Sequence, residues 1–187
     1  MKIERSFPIS APAAAAWKFL QDIRAVAECM PGARITEQID ATHYKGQVSV
    51  KLGPASAQFA GELEIRGVDP AKREIRLFGK GAEAKGSSAA TMDLTAGIRE
   101  SEGGCELAGV SEVGVSGKLA GFGGRMMTQV SDQILKQFAD NFASRVAATA
   151  EAAPPAEPRQ LNALALIWGV IAGWFRSVFG HHAKPPT

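Results

Sequence analysis

Apolar and polar positions along this chain change rhythm several times, and the slowest rhythm is the most regular. From Gly117 to Ala150, apolar residues recur every four positions at Met126, Val130, Ile134, Phe138, Phe142 and Val146. Polar Gln129, Asp132, Lys136, Asp140 and Arg145 fill positions between them, and no proline follows until Pro154. This predicts one long amphipathic helix. Each four-residue step turns the stripe by roughly 40°, so its two halves are expected to meet different parts of the fold. At its start Leu119, Phe122, Met126 and Met127 are interleaved with Gly121, Gly123 and Gly124. Glycine there costs up to about 1 kcal/mol against alanine but admits a close backbone or ligand, and methionine supplies an adaptable wall. The loose end therefore reads as a lid over a cavity, and the aromatic end as core.

Upstream the period shortens. Ile3 to Ile9 alternates as a strand. Ser10 is placed to cap a helix with Pro12 in its first turn and Ala13 to Leu20 behind it, Trp17 and Leu20 facing inward. A second short helix is expected from Asp22 to Cys29, stopped by Met30-Pro31-Gly32. Alternation then predicts strands over Arg34 to Ala41, His43 to Leu52, Ala55 to Val68, Lys72 to Gly79, Ser87 to Ile98 and Cys105 to Ser116. Connections this short require antiparallel pairing. Gly46, Gly61, Gly79, Gly81, Gly86, Gly109 and Gly114 predict bulges and strong curvature. The expected fold class is α+β: a curved antiparallel β-sheet wrapped around a long C-terminal helix, with two short helices after the first strand. Residues 1–150 form this domain. A cavity between helix and sheet would be lined by Leu119, Phe122, Met126, Met127 and Val130 from the helix, and by Phe59, Leu63, Leu77 and Met92 from the strands.

The pattern changes again beyond the domain. Residues 151–160, with Pro154, Pro155 and Pro158, read as a linker that stops the helix, and residues 181–187 as a disordered terminus. Residues 161–180 between them hold the most apolar run in the chain. A domain that already has its core helix offers no obvious place to bury it. Leu164, Ile167, Trp168, Ile171, Trp174 and Phe175 are therefore expected on an appended helix that meets a membrane or a partner. A helix from Leu161 to Phe179 reaches about 28 Å, close to the roughly 30 Å hydrocarbon core. Spanning would carry Arg176 and Lys184 outward, against the tendency of basic residues to stay inside. Two tryptophans suit the headgroup boundary, so an interfacial anchor is expected.

Composition narrows the function. The 187 residues are 45% hydrophobic and 21% charged, enough for one sizeable core. A formal charge of +2, evenly spread and without aromatic–basic interleaving, points away from nucleic acid. Cys29 and Cys105, far apart and without CxxC spacing, read as buried free thiols in a reducing compartment. Met1-Lys2-Ile3-Glu4-Arg5 lacks the apolar run of a signal peptide, so a cytoplasmic location is expected, peripheral at the inner face of the cell membrane through the tail. His43 is alone in the domain, with His181 and His182 in the terminus, which leaves no metal site and no Ser-His-Asp triad. Gly79-Lys80-Gly81 is too short for a phosphate loop. Glu62, Glu64, Asp93 and Glu112 fall on strand positions, where a solvated face outweighs acid–base work in a cavity. Arg125, among glycines and methionines, is the cation placed to meet a headgroup or a quinone carbonyl, with ordinary exposure as the simpler reading. No catalytic residue emerges.

Five stretches in order carry a family likeness: Ala27-Glu28-Cys29-Met30-Pro31-Gly32, Lys51-Leu52-Gly53-Pro54, Phe59-Ala60-Gly61, Gly79-Lys80-Gly81 and Gly117-Lys118-Leu119-Ala120-Gly121-Phe122-Gly123. Together they resemble the G-subunit family of carbon monoxide dehydrogenase, which belongs to the START-like, polyketide-cyclase-like superfamily with the helix-grip fold. Ala82-Glu83 departs from the pattern, where a more glycine-rich run is expected. The resemblance implies a non-enzymatic accessory protein of a molybdenum-hydroxylase system, without a covalent cofactor. It further implies a lipophilic cavity holding a quinone or lipid, and a link between a molybdenum-containing dehydrogenase and the cytoplasmic membrane. The rival readings are a cyclase- or hydrolase-type enzyme, which needs polar groups converging in the cavity, and an interaction module whose tail docks on a partner.

Overall fold

In a computed structural model, which describes residues 1–52, 55–84 and 86–152 (backbone alone at 52, 55, 122, 151 and 152), the alternating stretches form seven strands. These are β1 Lys2–Ile9, β2 Ala33–Gln38, β3 His43–Leu52, β4 Ala55–Asp69, β5 Glu74–Glu83, β6 Ala89–Ser101 and β7 Gly104–Ser116. They make one sheet in the order β1-β7-β6-β5-β4-β3-β2, antiparallel throughout. The chain meanders from β2 to β7, and β1 closes against β7. Helices α1 (Ala13–Leu20) and α2 (Ile23–Cys29) follow β1, and a 3-10 turn at Gly117–Phe122 leads from β7 into α3, Gly124–Ala152. This is the expected helix-grip arrangement. Met1–Ala152 forms one compact unit. The linker, the apolar run at 161–180 and the terminus lie outside the described residues.

Local chemistry moved several boundaries. Ser10 does not cap α1. Pro12 occupies the N-cap with no side-chain bond, and its carbonyl accepts the first helical N–H groups, from Ala15 and Ala16. The Asp22 carboxylate does cap α2, accepting from the Ala25 N–H at 3.1 Å. Strand β2 stops at Gln38, short of Ala41, because the Asp40 carboxylate folds the chain by accepting from the Thr42 and His43 N–H groups. Asp69 does the same for Ala71 and Lys72, so β5 begins at Glu74 rather than Lys72.

Two larger expectations are corrected. The helix expected from Gly117 is interrupted at Gly123, whose φ of 77° and ψ of 154° lie in a region that is essentially glycine-only. The register shifts fall at Ile35/Glu37 and Ile65/Gly67, not at the seven glycines named for bulges. Gly46, Gly61 and Gly81 are instead in direct register across three strands. A Cβ at Gly61 would strike the Lys80 carbonyl, so the missing side chain serves close approach of neighbouring strands.

The main core lies where the second half of α3 crosses α1, α2 and the sheet. Phe142 and Val146 are fully enclosed there with Phe19, Leu20, Ile75, Ile98 and Leu107. Phe142 meets Phe19 edge-on, centroids 5.2 Å apart, a geometry worth about 0.5–1.5 kcal/mol beyond the area it buries. The Asn141 amide donates to the Cys29 carbonyl at 2.9 Å, and Arg145 to Glu28 at 2.8 Å, pinning this half to α2. Cys29 and Cys105 are buried free thiols, and burial pushes both up from the ordinary value of 9.0.

Candidate functional site

Register and alternation dictate what the sheet turns toward α3. One row across it holds Tyr44, Leu63, Gly79, Met92 and Val113, and the next toward the β3–β4 tip holds Gly46, Gly61, Gly81, Ala90 and Val115. Below these rows the main core is closed. Beyond them a second, smaller cluster forms, with Ala57 and Leu119 buried and Val50, Phe59, Val115, Met126 and Val130 packed against them. Between the two clusters Gly61, Gly79, Gly81, Met92, Val113 and, on α3, Ile134 are half-buried and belong to neither. Glycines in the middle of a sheet present no side chain toward a helix above them. The interface between α3 and the sheet is thus closed around Phe142 and Val146 and half-open from Ile134 toward the second cluster, where only Ala57 and Leu119 are buried.

The expected lining divides. Phe59, Leu119, Met126 and Val130 come together in the second cluster. Met92 and Met127 are half-buried and in neither cluster. Leu77, 9% exposed, belongs to the main core, and Leu63 packs against that core while reaching over Gly79. The side chain of Phe122 lies outside the described residues, as do Leu164, Ile167, Trp168, Ile171, Trp174 and Phe175.

Sequence reasoning left Val50, Ala57 and Val115 out of the lining, although alternation places them on this face. It also passed over Ser111. That residue sits on β7 between Ile3 and Leu94, buried, with an Oγ that has no hydrogen-bond partner. Arg5 was equally silent. It sits on β1 opposite Gly109 and donates to one Asp132 oxygen on α3 through Nε at 3.1 Å and Nη2 at 2.6 Å. This ties the edge of the sheet to the first half of α3.

The four candidate acids belong to the opposite, solvated face. Lys80 lies 3.0 Å from Glu62, and that bond pulls the Glu62 carboxyl below its usual value. Arg66 bridges Glu64 at 3.4 Å and Asp93 at 3.1 Å, and stacks 3.8 Å over the Phe78 ring. Glu112 is exposed, opposite Asp93. His43 is exposed with its ring 2.9 Å from Asp40, and Arg125 is exposed. Among the described residues, no three His, Cys, Asp or Glu side chains gather as metal ligands, and no helix is long and apolar enough to cross a membrane. Two surface depressions, of about 320 and 440 Å³, lie beside Ser49, Gln58 and Glu83 and beside Phe78, Asp93 and Glu112; neither is lined by α3.

Comparison with known proteins gives the arrangement relatives. The family model for the G subunit of carbon monoxide dehydrogenase (CoxG) matches residues 6–147. A conserved protein from Geobacillus kaustophilus superposes with a TM-score of 0.71 at 18% identity, covering 80% of this chain and 97% of its own. The Zhui aromatase/cyclase from Streptomyces sp. R1128 gives 0.55 at 13% identity, over 78% and 93%. A START superfamily protein from Mycobacterium smegmatis gives 0.52 at 15% identity, over 79% and 98%. At such identities the likeness shows the fold alone. No curated protein matches the chain in sequence.

Proposed function

Because the chain belongs to the CoxG family of carbon monoxide dehydrogenase, we propose that it is a non-enzymatic accessory protein that holds a quinone or lipid between α3 and the sheet. In this reading it serves a molybdenum-hydroxylase system and keeps the dehydrogenase at the cytoplasmic face of the membrane, with the apolar run at 161–180 as the tether. The observation that carries it is the half-buried stretch of Gly61, Gly79, Gly81, Met92, Val113 and Ile134 between two apolar clusters. Apolar surface left accessible inside a fold is stabilised by any oily molecule that covers it, at about 25 cal/mol per Å². Small-molecule sites of this kind are mostly apolar with few polar groups. A cyclase or hydrolase needs acids and bases converging on the substrate. The stretch between the clusters supplies none, and the four candidate acids face away from it.

Mass spectrometry of an organic extract of the purified full-length protein is expected to find a quinone or lipid. Gly79 has room for a side chain, since an added Cβ meets Met92, Leu63 and the Glu62 carbonyl only at ordinary contact distances of 3.6, 3.8 and 3.9 Å. Gly79→Leu should therefore fill the gap, leave the protein folded and lower ligand occupancy by about tenfold. A protein that extracts empty and takes up no menaquinone-4 from detergent micelles would sink the reading.

A further inference from the structure

The antiparallel meander brings the β3–β4 connection, the β5–β6 connection and the 3-10 turn after β7 to one end of the sheet. Hydrogen bonds tie the end of β5 to β4, and the β5–β6 connection and the start of β6 to the end of β7 and the 3-10 turn. The Ala84 N–H donates to the Gln58 carbonyl at 2.8 Å, the Leu119 N–H to Ser88 Oγ at 3.3 Å, and Ser116 Oγ to the Ala89 carbonyl at 3.4 Å. The second cluster lies at this end, with Val50, Phe59, Met126 and Val130 half-buried in it. Val48, 37% exposed, adds a large apolar side chain.

Charge at this end has one sign. Beyond the row of Gly46, Gly61, Gly81 and Ala90, the described charged residues are Arg34, which donates to the Gln47 side chain at 2.7 Å, one half-buried carboxylate, Glu83, and three further cations, Lys51, Lys118 and Arg125, all exposed. Among the described residues none of the three cations forms an ion pair. The other end of the sheet is charge-paired: Lys72 lies 3.7 Å from Asp69, and Arg73 lies 2.9 Å from Glu100. A modest net charge thus conceals a polarised domain.

We propose that this end docks on an anionic phospholipid surface, turning the gap beneath α3 toward the bilayer. The inference rests on the ligand reading above and adds the route by which the ligand arrives. Three cations carried on separate elements, Lys51 at the end of β3, Lys118 on the 3-10 turn and Arg125 in the first turn of α3, suit mobile lipid headgroups, which need no matched contour. An acidic protein surface would need one. Each cation held near an anionic bilayer is worth about fivefold in binding, so the three together give on the order of a hundredfold. That is enough to orient a domain already at the membrane, and too little to hold it there alone.

The test uses full-length protein and vesicles loaded with menaquinone-4, made either of phosphatidylcholine or of equimolar phosphatidylcholine and phosphatidylglycerol. Uptake from the anionic vesicles should be faster by on the order of tenfold at low salt, the excess fading as salt screens the surface. Lys51→Glu/Lys118→Glu/Arg125→Glu should abolish the excess and leave uptake from detergent micelles unchanged. Lys72→Glu/Arg99→Glu, at the charge-paired end, should retain it. If the triple reversal fails to fold, Lys51→Gln/Lys118→Gln/Arg125→Gln should show the same loss. The proposal is overturned if the wild type shows no preference, or if the triple variant keeps it, the result expected if the cations serve an acidic protein instead. A wild type that takes up menaquinone-4 from neither vesicles nor micelles overturns the ligand reading and this one with it.

Discussion

Four donors converge on the carboxylate of Asp40: the N–H groups of Thr42 and His43, the Thr42 hydroxyl and the His43 ring. The Thr42 backbone bond contributes most to holding the carboxyl well below the usual range, followed by the His43 ring. A folded pKa below the unfolded value means stability that is complete above the unfolded value and is lost as pH falls toward the folded one. Asp40→Asn is therefore expected to lower the melting temperature most at neutral pH, with the difference from wild type shrinking as the pH falls below 3.8. Melting curves across that range check it; a constant difference would assign the effect to shape rather than charge. The buried thiols run the other way. Their raised values mean stability that is whole below pH 9.0 and lost above it, as the unfolded chain gives up protons the folded one keeps. Their burial was legible in the sequence, since isolated cysteines without metal spacing behave as small apolar residues. The grip of Asp40 on its neighbours was not, because it depends on a turn that alternation overran.

At the scale of the element, α3 and the 3-10 turn before it behave as the drifting stripe requires. Met126 and Val130 meet one cluster, and Phe142 and Val146 meet another. What the stripe could not reveal is the joint. Gly123 holds a backbone conformation closed to side chains, whereas Gly121 has an ordinary φ and no neighbour within 4 Å of an added Cβ. Gly123→Ala is expected to destabilise by about 1–3 kcal/mol, and Gly121→Ala to be near neutral. Urea unfolding of the two variants distinguishes them, and equal losses would remove the special role given to Gly123. Both glycines look alike in sequence because φ is set by where the turn must deliver the helix. The strand glycines teach the same lesson: Gly61 marks close approach of neighbouring strands, Gly79 has room for a side chain, and neither register shift falls at a glycine expected to make one.

For the whole molecule, the family assignment and the compact unit Met1–Ala152 agree on where the domain ends. A chain trimmed after Pro158 is thus expected to melt at the temperature of the full-length protein. If the apolar run is the tether, the trimmed chain should also leave the membrane fraction for the soluble one; unchanged pelleting would discard that role. The order of elements, the antiparallel meander and the helix across it were all set down by the sequence itself. Alternation and the four-residue stripe report burial locally, and short connections leave few topologies. Only the tertiary structure decided which inward positions close into core and which stay half-open. It alone placed Gly46, Gly61 and Gly81 in one row, left the Ser111 hydroxyl without a partner, and brought Arg5 to Asp132 across 127 residues of chain. Periodicity records which face a residue turns inward, and what it meets there depends on the register and spacing of strands and helices distant along the chain.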